Sequence, residues 1–265
     1  MARVLAVTNQ KGGVGKTTTA VNLSACLAEL GERVLMVDLD PQGNATTGCG
    51  VVKREALPTV YQVLIGGSTL QEARLATEFG FDILPSNREL AGAEVELIDI
   101  DGREFRLREA LAPVLADYDF ILMDCPPALN MLTVNGLAAA QAVMIPMQCE
   151  YYALEGLTDL VATLRRVRAN LNPRLEIEGL LRTMFDPRST LTQQVSGELV
   201  AHFGDKVYRT IVPRNIRLAE APSYGKPVIA FDPHSRGAMA YGALARELLE
   251  RRASAGRPAE TGENA

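Results

Sequence analysis

An α/β fold is predicted: a single domain with a mostly parallel sheet of about eight strands and helices on both faces. Three observations carry that expectation. Short apolar runs alternate with longer helical patterns along the chain, the order that builds a parallel sheet through crossover connections. Several runs are continuously apolar, as strands covered on both faces are. The 265 residues suit one large domain, with no internal repeat or low-complexity linker to divide them.

The first strand is expected at Val4 to Thr8, before glycine-rich sequence. Ala20, Leu23, Leu27 and Leu30 then space out a helix, and Gly31 stops it as a glycine just past a helix end does. Arg33 to Asp38 is the second strand. Others are expected at Phe81 to Leu84, Phe120 to Met123, Ala142 to Met147, Ile177 to Met184, Val207 to Val212 and Val228 to Phe231. Helical segments lie near 101–116, 152–170, 190–203 and 235–252. The domain is expected to occupy 1–252, and 253–265, containing Gly, Pro, Glu and Ser, to be a disordered tail.

Hydrophobic residues make up 47% of the chain and charged residues 22%, which excludes an intrinsically disordered protein. A formal charge of -5 excludes coating of nucleic acid by bulk positive charge, so any such contact needs a local patch. Cys26, Cys49, Cys125 and Cys149 form no CxxC pair, and His202 and His234 have no metal-ligand spacing. Met1 to Arg3 runs straight into the first strand without a leader, and no run approaches the roughly 18 apolar residues of a membrane span. A reducing cytoplasmic setting without membrane attachment is the expectation.

The segment Gln10-Lys11-Gly12-Gly13-Val14-Gly15-Lys16-Thr17-Thr18 carries the strongest chemistry. Phosphate oxygens need several N–H donors converging on them, and glycines let the backbone approach. Lys16 would reach the β- and γ-phosphates of a nucleoside triphosphate, and the Thr17 hydroxyl would ligate Mg²⁺. The wrong glycine spacing argues against a dinucleotide site. A single-domain P-loop NTPase follows. Gln10 stands where the standard loop has glycine, and Lys11 adds a second lysine.

Lys11 to Thr17 resembles the deviant Walker A loop of the ParA/MinD ATPases, and the rest of the chain resembles the narrower ParA (Soj) branch. Val37 to Asn44 is similar to that family's second motif, and Ile121 to Pro127 to its Walker B strand. Gln148 to Gly156 and Val212 to Pro222 are the most specific stretches, and together the motifs span roughly residues 3 to 250.

The resemblance implies ATP and Mg²⁺ as cofactors, with ATP hydrolysis as the reaction. Residues 11–18 would bind nucleotide, with Lys11 crossing to the phosphates of a second subunit in an ATP-dependent homodimer. Gly12 would lie where the two backbones approach. Asp40 corresponds to the carboxylate that positions or deprotonates the attacking water; with Lys11 and Lys16 it makes up the catalytic set. Thr17, Asp38 and Asp124 would serve the metal shell. Thr183, Pro213 and Asn215 are expected to border the adenine.

Residues 161–217 hold ten basic and five acidic side chains, an asymmetry suited to a phosphate-binding face. Within them Arg188 and Arg217 match positions linked in the family to non-specific duplex DNA binding, and Arg214 lies beside them. The implied role is chromosome or plasmid partitioning on the nucleoid, with hydrolysis stimulated by a ParB-like centromere-binding protein. A MinD-like membrane-cycling ATPase would need bulky apolar residues after Leu249, which the chain lacks. A metabolic or iron–sulfur enzyme on this fold would need a substrate pocket or paired cysteines, and a tyrosine autokinase a C-terminal tyrosine cluster.

Overall fold

A computed structural model describes residues 2–255. In chain order, β1 (Arg3–Val7) leads through the glycine-rich loop to α1 (Lys16–Glu29), and β2 (Val34–Asp38) leads to α2 (Asn44–Gly48). Next come α3 (Val60–Ile65), α4 (Leu70–Ala73), β3 (Leu75–Ala76), β4 (Asp82–Leu84), α5 (Leu90–Glu96) and α6 (Arg106–Leu111). Strands and helices then alternate strictly through β5 (Phe120–Asp124), α7 (Met131–Ala139), β6 (Ala142–Gln148), α8 (Ala153–Asn170), β7 (Glu176–Phe185), α9 (Thr190–Phe203) and β8 (Val207–Pro213). The last helices are α10 (Ile216–Glu220), α11 (Val228–Phe231) and α12 (Arg236–Ala255).

The eight strands form one sheet in the order β3-β4-β2-β5-β1-β6-β7-β8, and only β3 runs antiparallel to its neighbour. Successive residues of β1 face opposite cores: Val4 and Ala6 join the side chains of α3, α5 to α9, while Leu5 and Val7 join those of α1, α11 and α12. Both faces of the sheet are thus covered, as the continuous apolar runs require. Val7 and Asp38 both lie in register with Asp124, so β1, β2 and β5 end level and their outgoing loops meet at one edge. Ligands of such sheets bind at that edge.

α1 ends as expected. Gly31 takes φ 89°, its N–H bonds the Ala28 carbonyl, and the Glu32 N–H reaches back to Leu27, which satisfies the last carbonyls.

Three expectations are corrected. Val228 to Phe231 is a helical turn, not a strand; its apolar character comes from packing against α1 and α12, and four apolar residues cannot distinguish the two states. The eighth strand is instead Leu75–Ala76, two exposed residues with no apolar pattern to reveal them. The helix near 101–116 is shorter, six residues of α-helix followed by a 3-10 turn at Ala112–Val114 that contains Pro113. At the C-terminus α12 continues through Ala255, so the expected tail does not begin at 253, and 256–265 lie outside the described residues.

Candidate nucleotide-binding site

From Thr8 to Gly15 the chain loops over the carboxyl edge of the sheet. Gly13 (φ 74°) and Gly15 (φ 89°) hold left-handed backbone that a side chain would strain. Gly15 is the N-cap of the 14-residue α1 and supplies no side-chain cap, and the first turn has no acidic residue. Those opening N–H groups, backed by the positive end of the helix dipole, form an anion-binding arrangement. A methyl group built at Gly12 or Gly13 meets nothing within 4 Å, so within one chain the space beside them is open.

Lys16 is buried, and its Nζ donates to the Lys11 carbonyl at 3.0 Å. Burial lowers its pKa, while Asp124, Cys125 and Asp40 oppose that shift. Asp124, on β5, is 1% exposed, and neither carboxylate oxygen has a hydrogen-bond partner. Burial pushes its pKa well up, and the neighbouring Asp38 charge adds to the rise. Thr17 and Lys16 stand beside it. An orphaned carboxylate costs several kcal/mol unless something outside the chain claims it, and a hard cation fits that role (about 1–3 kcal/mol per unmet group).

Among the described residues no cluster of three or more His, Cys, Asp or Glu could hold a metal alone. The unpartnered Asp124 carboxylate with the Thr17 hydroxyl beside it is a small oxygen donor set that fits Mg²⁺, which takes one or two protein oxygens and fills its octahedron with water and phosphate. Asp38, expected to serve the metal shell, is hydrogen-bonded on both oxygens. Its Oδ1 accepts from the Asp40 N–H, and its Oδ2 from both the N–H and hydroxyl of Thr46. Burial raises its pKa to about 6 against those hydrogen bonds. Asp38 thus shapes the loop that presents half-buried Asp40, whose Oδ1 accepts from the Gln42 N–H and whose carbonyl accepts from Ser86 Oγ.

Residues outside the glycine motif anchor the loop. Asn9 Nδ2 donates to the Pro146 carbonyl, Gln10 Nε2 to Thr163 Oγ1 on α8, and Lys11 Nζ pairs with Glu150 at 2.6 Å. Thr183 is buried beneath the loop with its hydroxyl donated to the Val14 carbonyl at 2.8 Å. Its neighbour Met184 has φ 48°, unusual for a side-chain-bearing residue, and approaches Gly15. Sequence reading missed Gln10, Glu150, Thr46, Ser86 and Met184 as supports. Only the Gln10 departure from the standard loop carried a signal; the others act through contacts distant in sequence.

Pro213 ends β8 and Asn215 caps α10, its side chain accepting from the Arg217 and Leu218 N–H groups. Arg188, Arg214 and Arg217 all follow the carboxyl ends of β7 and β8, on the same edge as the loop. Arg188 is highly exposed and pairs with Asp186; Arg217 pairs with Glu220 and Asp232. Arg214 is exposed and makes no ion pair among the described residues.

The ten-residue basic count needs correction. Arg182 is buried, bonded to Ser196 Oγ and the Tyr208 carbonyl, and Arg209 is paired by Glu247 and Glu250. Arg165, Arg166, Arg168 and Arg174 lie near the start of β7, about 30 Å from Arg188 across its extended length. The count thus spans two edges of the sheet.

A family model described as an AAA domain matches residues 2–177. The chain is 52% identical over 252 residues to the chromosome partitioning protein ParA of Caulobacter vibrioides, covering 94% of each chain. To the sporulation initiation inhibitor protein Soj of Bacillus subtilis it is 53% identical over 249 residues, 94% of this chain and 98% of that one. Among solved structures, a Mycobacterium smegmatis protein titled cobyrinic acid a,c-diamide synthase, with bound ADP and magnesium, is similar at a TM-score of 0.84 and 40% identity, covering 97% of each chain.

Proposed function

The chain belongs to the ParA/Soj family of partitioning ATPases, and from that membership we propose that it is an ATP-driven DNA-segregation switch. The observation that carries the reading is the uncapped start of α1 beside an orphaned, buried Asp124 and a buried Lys16. Here a buried carboxylate has no hydrogen-bond partner and a buried ammonium is held by a single loop carbonyl, groups that a cation and a triphosphate would engage. Relatives support the choice of ligand, since ADP and magnesium occupy the Mycobacterium smegmatis structure.

In this reading the α1 N–H groups and Lys16 bind the phosphates, and Thr17 and Asp124 hold Mg²⁺, which when bound neutralises phosphate charge. Asp40, kept in place by Asp38 and Ser86, positions the attacking water. Thr183, with Pro213 and Asn215, borders the base. Lys11 reaches the phosphates of a second copy, so dimer formation depends on ATP through simple mass action. The dimer doubles the surface bearing Arg188, Arg214 and Arg217 and so binds duplex DNA without sequence preference. Hydrolysis, stimulated by a ParB-like centromere-binding partner, returns the monomer.

Sedimentation of an Asp40→Ala variant tests this. With ATP it is expected to dimerise and to bind random-sequence duplex DNA, and with ADP to do neither. Replacing Arg188 and Arg217 by Glu should abolish DNA binding and leave the dimer. An ATP dimer that ignores DNA would sink the segregation reading.

A further inference from the structure

Behind the Asp40 loop, as seen from the phosphate loop, lies a cavity of about 430 Å³ lined by Lys53, Arg54, Leu57, Asn87, Arg88 and Glu89. β4 flanks β2 on the side away from β1, and the segments that follow α2 and β4 enclose the cavity. Three of its side chains are cationic and one is acidic, in a chain whose net charge is -5. Arg54 and Arg88 are exposed and make no ion pair among the described residues. Glu89 is engaged by Gln62 Nε2 at 3.3 Å. Leu57 is 59% exposed and gives the cavity an apolar wall. Ligand sites pair such a wall with a few converging polar groups, and this cavity has both.

Lys53 connects the cavity to the Asp40 loop. Its Nζ donates to the Gln42 carbonyl at 2.7 Å. Its stem crosses Gly43, where a methyl group would come within 2.6 Å of Lys53 Cδ and 2.7 Å of the Ser86 carbonyl. Ser86, next to Asn87 of the cavity, donates in turn to the Asp40 carbonyl at 2.8 Å. An ammonium has three donors and the Gln42 carbonyl takes one, so an anion in the cavity can be held without breaking that bond.

From this arrangement we propose that the cavity is a docking site for an acidic segment of a partner protein. Its carboxylates meet Lys53, Arg54 and Arg88, and an apolar side chain beside them lies on Leu57. Binding fixes the half-buried Lys53 and, through it, the Gln42 carbonyl, so the Asp40 loop is steadied and hydrolysis quickens. A nucleic-acid phosphate would leave Leu57 unused. The arginines proposed for DNA also follow β7 and β8, at least five strand spacings, or about 24 Å, from β4. Docking is independent of the ATPase reading, whereas the effect on turnover rests on the role proposed for Asp40.

The test is fluorescence anisotropy of a labelled heptapeptide of alternating glutamate and leucine, titrated with the full chain, Mg²⁺ and the slowly hydrolysed analogue ATPγS. Lysine–leucine and glutamate–serine peptides serve as controls, and steady-state ATP hydrolysis is followed in parallel. The glutamate–leucine peptide is expected to bind more tightly than either control. Replacing both arginines, Arg54→Gln with Arg88→Gln, should weaken it about three- to thirtyfold, with thermal melting and basal turnover unchanged. Saturating peptide should raise kcat about two- to fivefold at unchanged KM, and Lys53→Gln should abolish that rise. Equal affinity for the double variant, or no binding at millimolar protein, overturns the proposal and leaves the arginines as solvated surface. Displacement of the peptide by inorganic sulfate at equal concentration would mean an adventitious ion only. Displacement by random-sequence duplex DNA, with DNA binding lost in the double variant, would make it a phosphate site; either result overturns the acidic partner. Binding without a change in turnover leaves the docking site standing and overturns its link to Asp40. If Asp40→Ala hydrolyses ATP as the parent does, the role of Asp40 falls, and the binding data still decide the docking.

Discussion

Asp124 sets the chemistry at the smallest scale. Its two oxygens are buried and unpartnered, and its β-sheet neighbour is a second carboxylate, Asp38, pushed up to about 6. A carboxyl group whose folded pKa is raised favours folding while protonated and penalises it once ionised. Without metal or nucleotide the protein should therefore lose stability as pH rises from about 4 through about 6, where Asp38 ionises, and Asp124→Asn, which removes the other raised carboxyl, should flatten that dependence. Denaturant titration at several pH values checks it; an unchanged slope in Asp124→Asn would exclude Asp124 as the source. The same sign governs the ligand. Mg²⁺ competes with the proton for Asp124, so Mg²⁺–nucleotide affinity should fall as the pH is lowered, measurable by calorimetry.

At the scale of elements, β8 shows how an exposed sheet edge is closed. Glu247 of α12 is 4% exposed, and its carboxylate accepts from the backbone N–H groups of Arg209 and Thr210 and from Arg251. Burial alone would raise its pKa; the hydrogen bonds outweigh that and leave it lowered. The free donors of an edge strand are thus claimed by a helix of the same chain, which removes a template for pairing with other chains. Glu247→Ala leaves the Arg209 and Thr210 N–H groups without their acceptor and Arg251 with only the Val207 carbonyl, and should cost about 1–3 kcal/mol of unfolding free energy by chemical denaturation. A loss below about 0.5 kcal/mol would mean that water replaces the carboxylate.

For the whole molecule, charge distribution matters more than its total. The net charge of -5 opposes DNA, and the arginines at the carboxyl edge are partly neutralised by Asp186, Glu220 and Asp232. In the proposed dimer two copies of Arg188, Arg214 and Arg217 would meet one duplex. The plot of log affinity against log salt should then have a slope of up to about -5, falling by about 3.6 when Arg188 and Arg217 are both replaced. Filter binding across a salt series measures it, and an unchanged slope would move the DNA contacts elsewhere.

Much of this was legible in the residues themselves. Strand order in sequence, continuous apolar runs and a glycine–lysine–threonine turn are local signals, because strand burial and left-handed backbone impose residue type at each position. Seven of the eight strands and the phosphate loop follow from them. Local patterns could not say that Val228–Phe231 turns as a helix, since burial against α1 and α12 looks the same as burial in a sheet. Nor could they reveal that ten basic residues divide between two edges, or that Glu150 takes Lys11 and Asp38 takes Thr46. Those pairings exist only where the folded chain brings distant side chains within hydrogen-bonding reach, and distance in space is what a sequence does not carry.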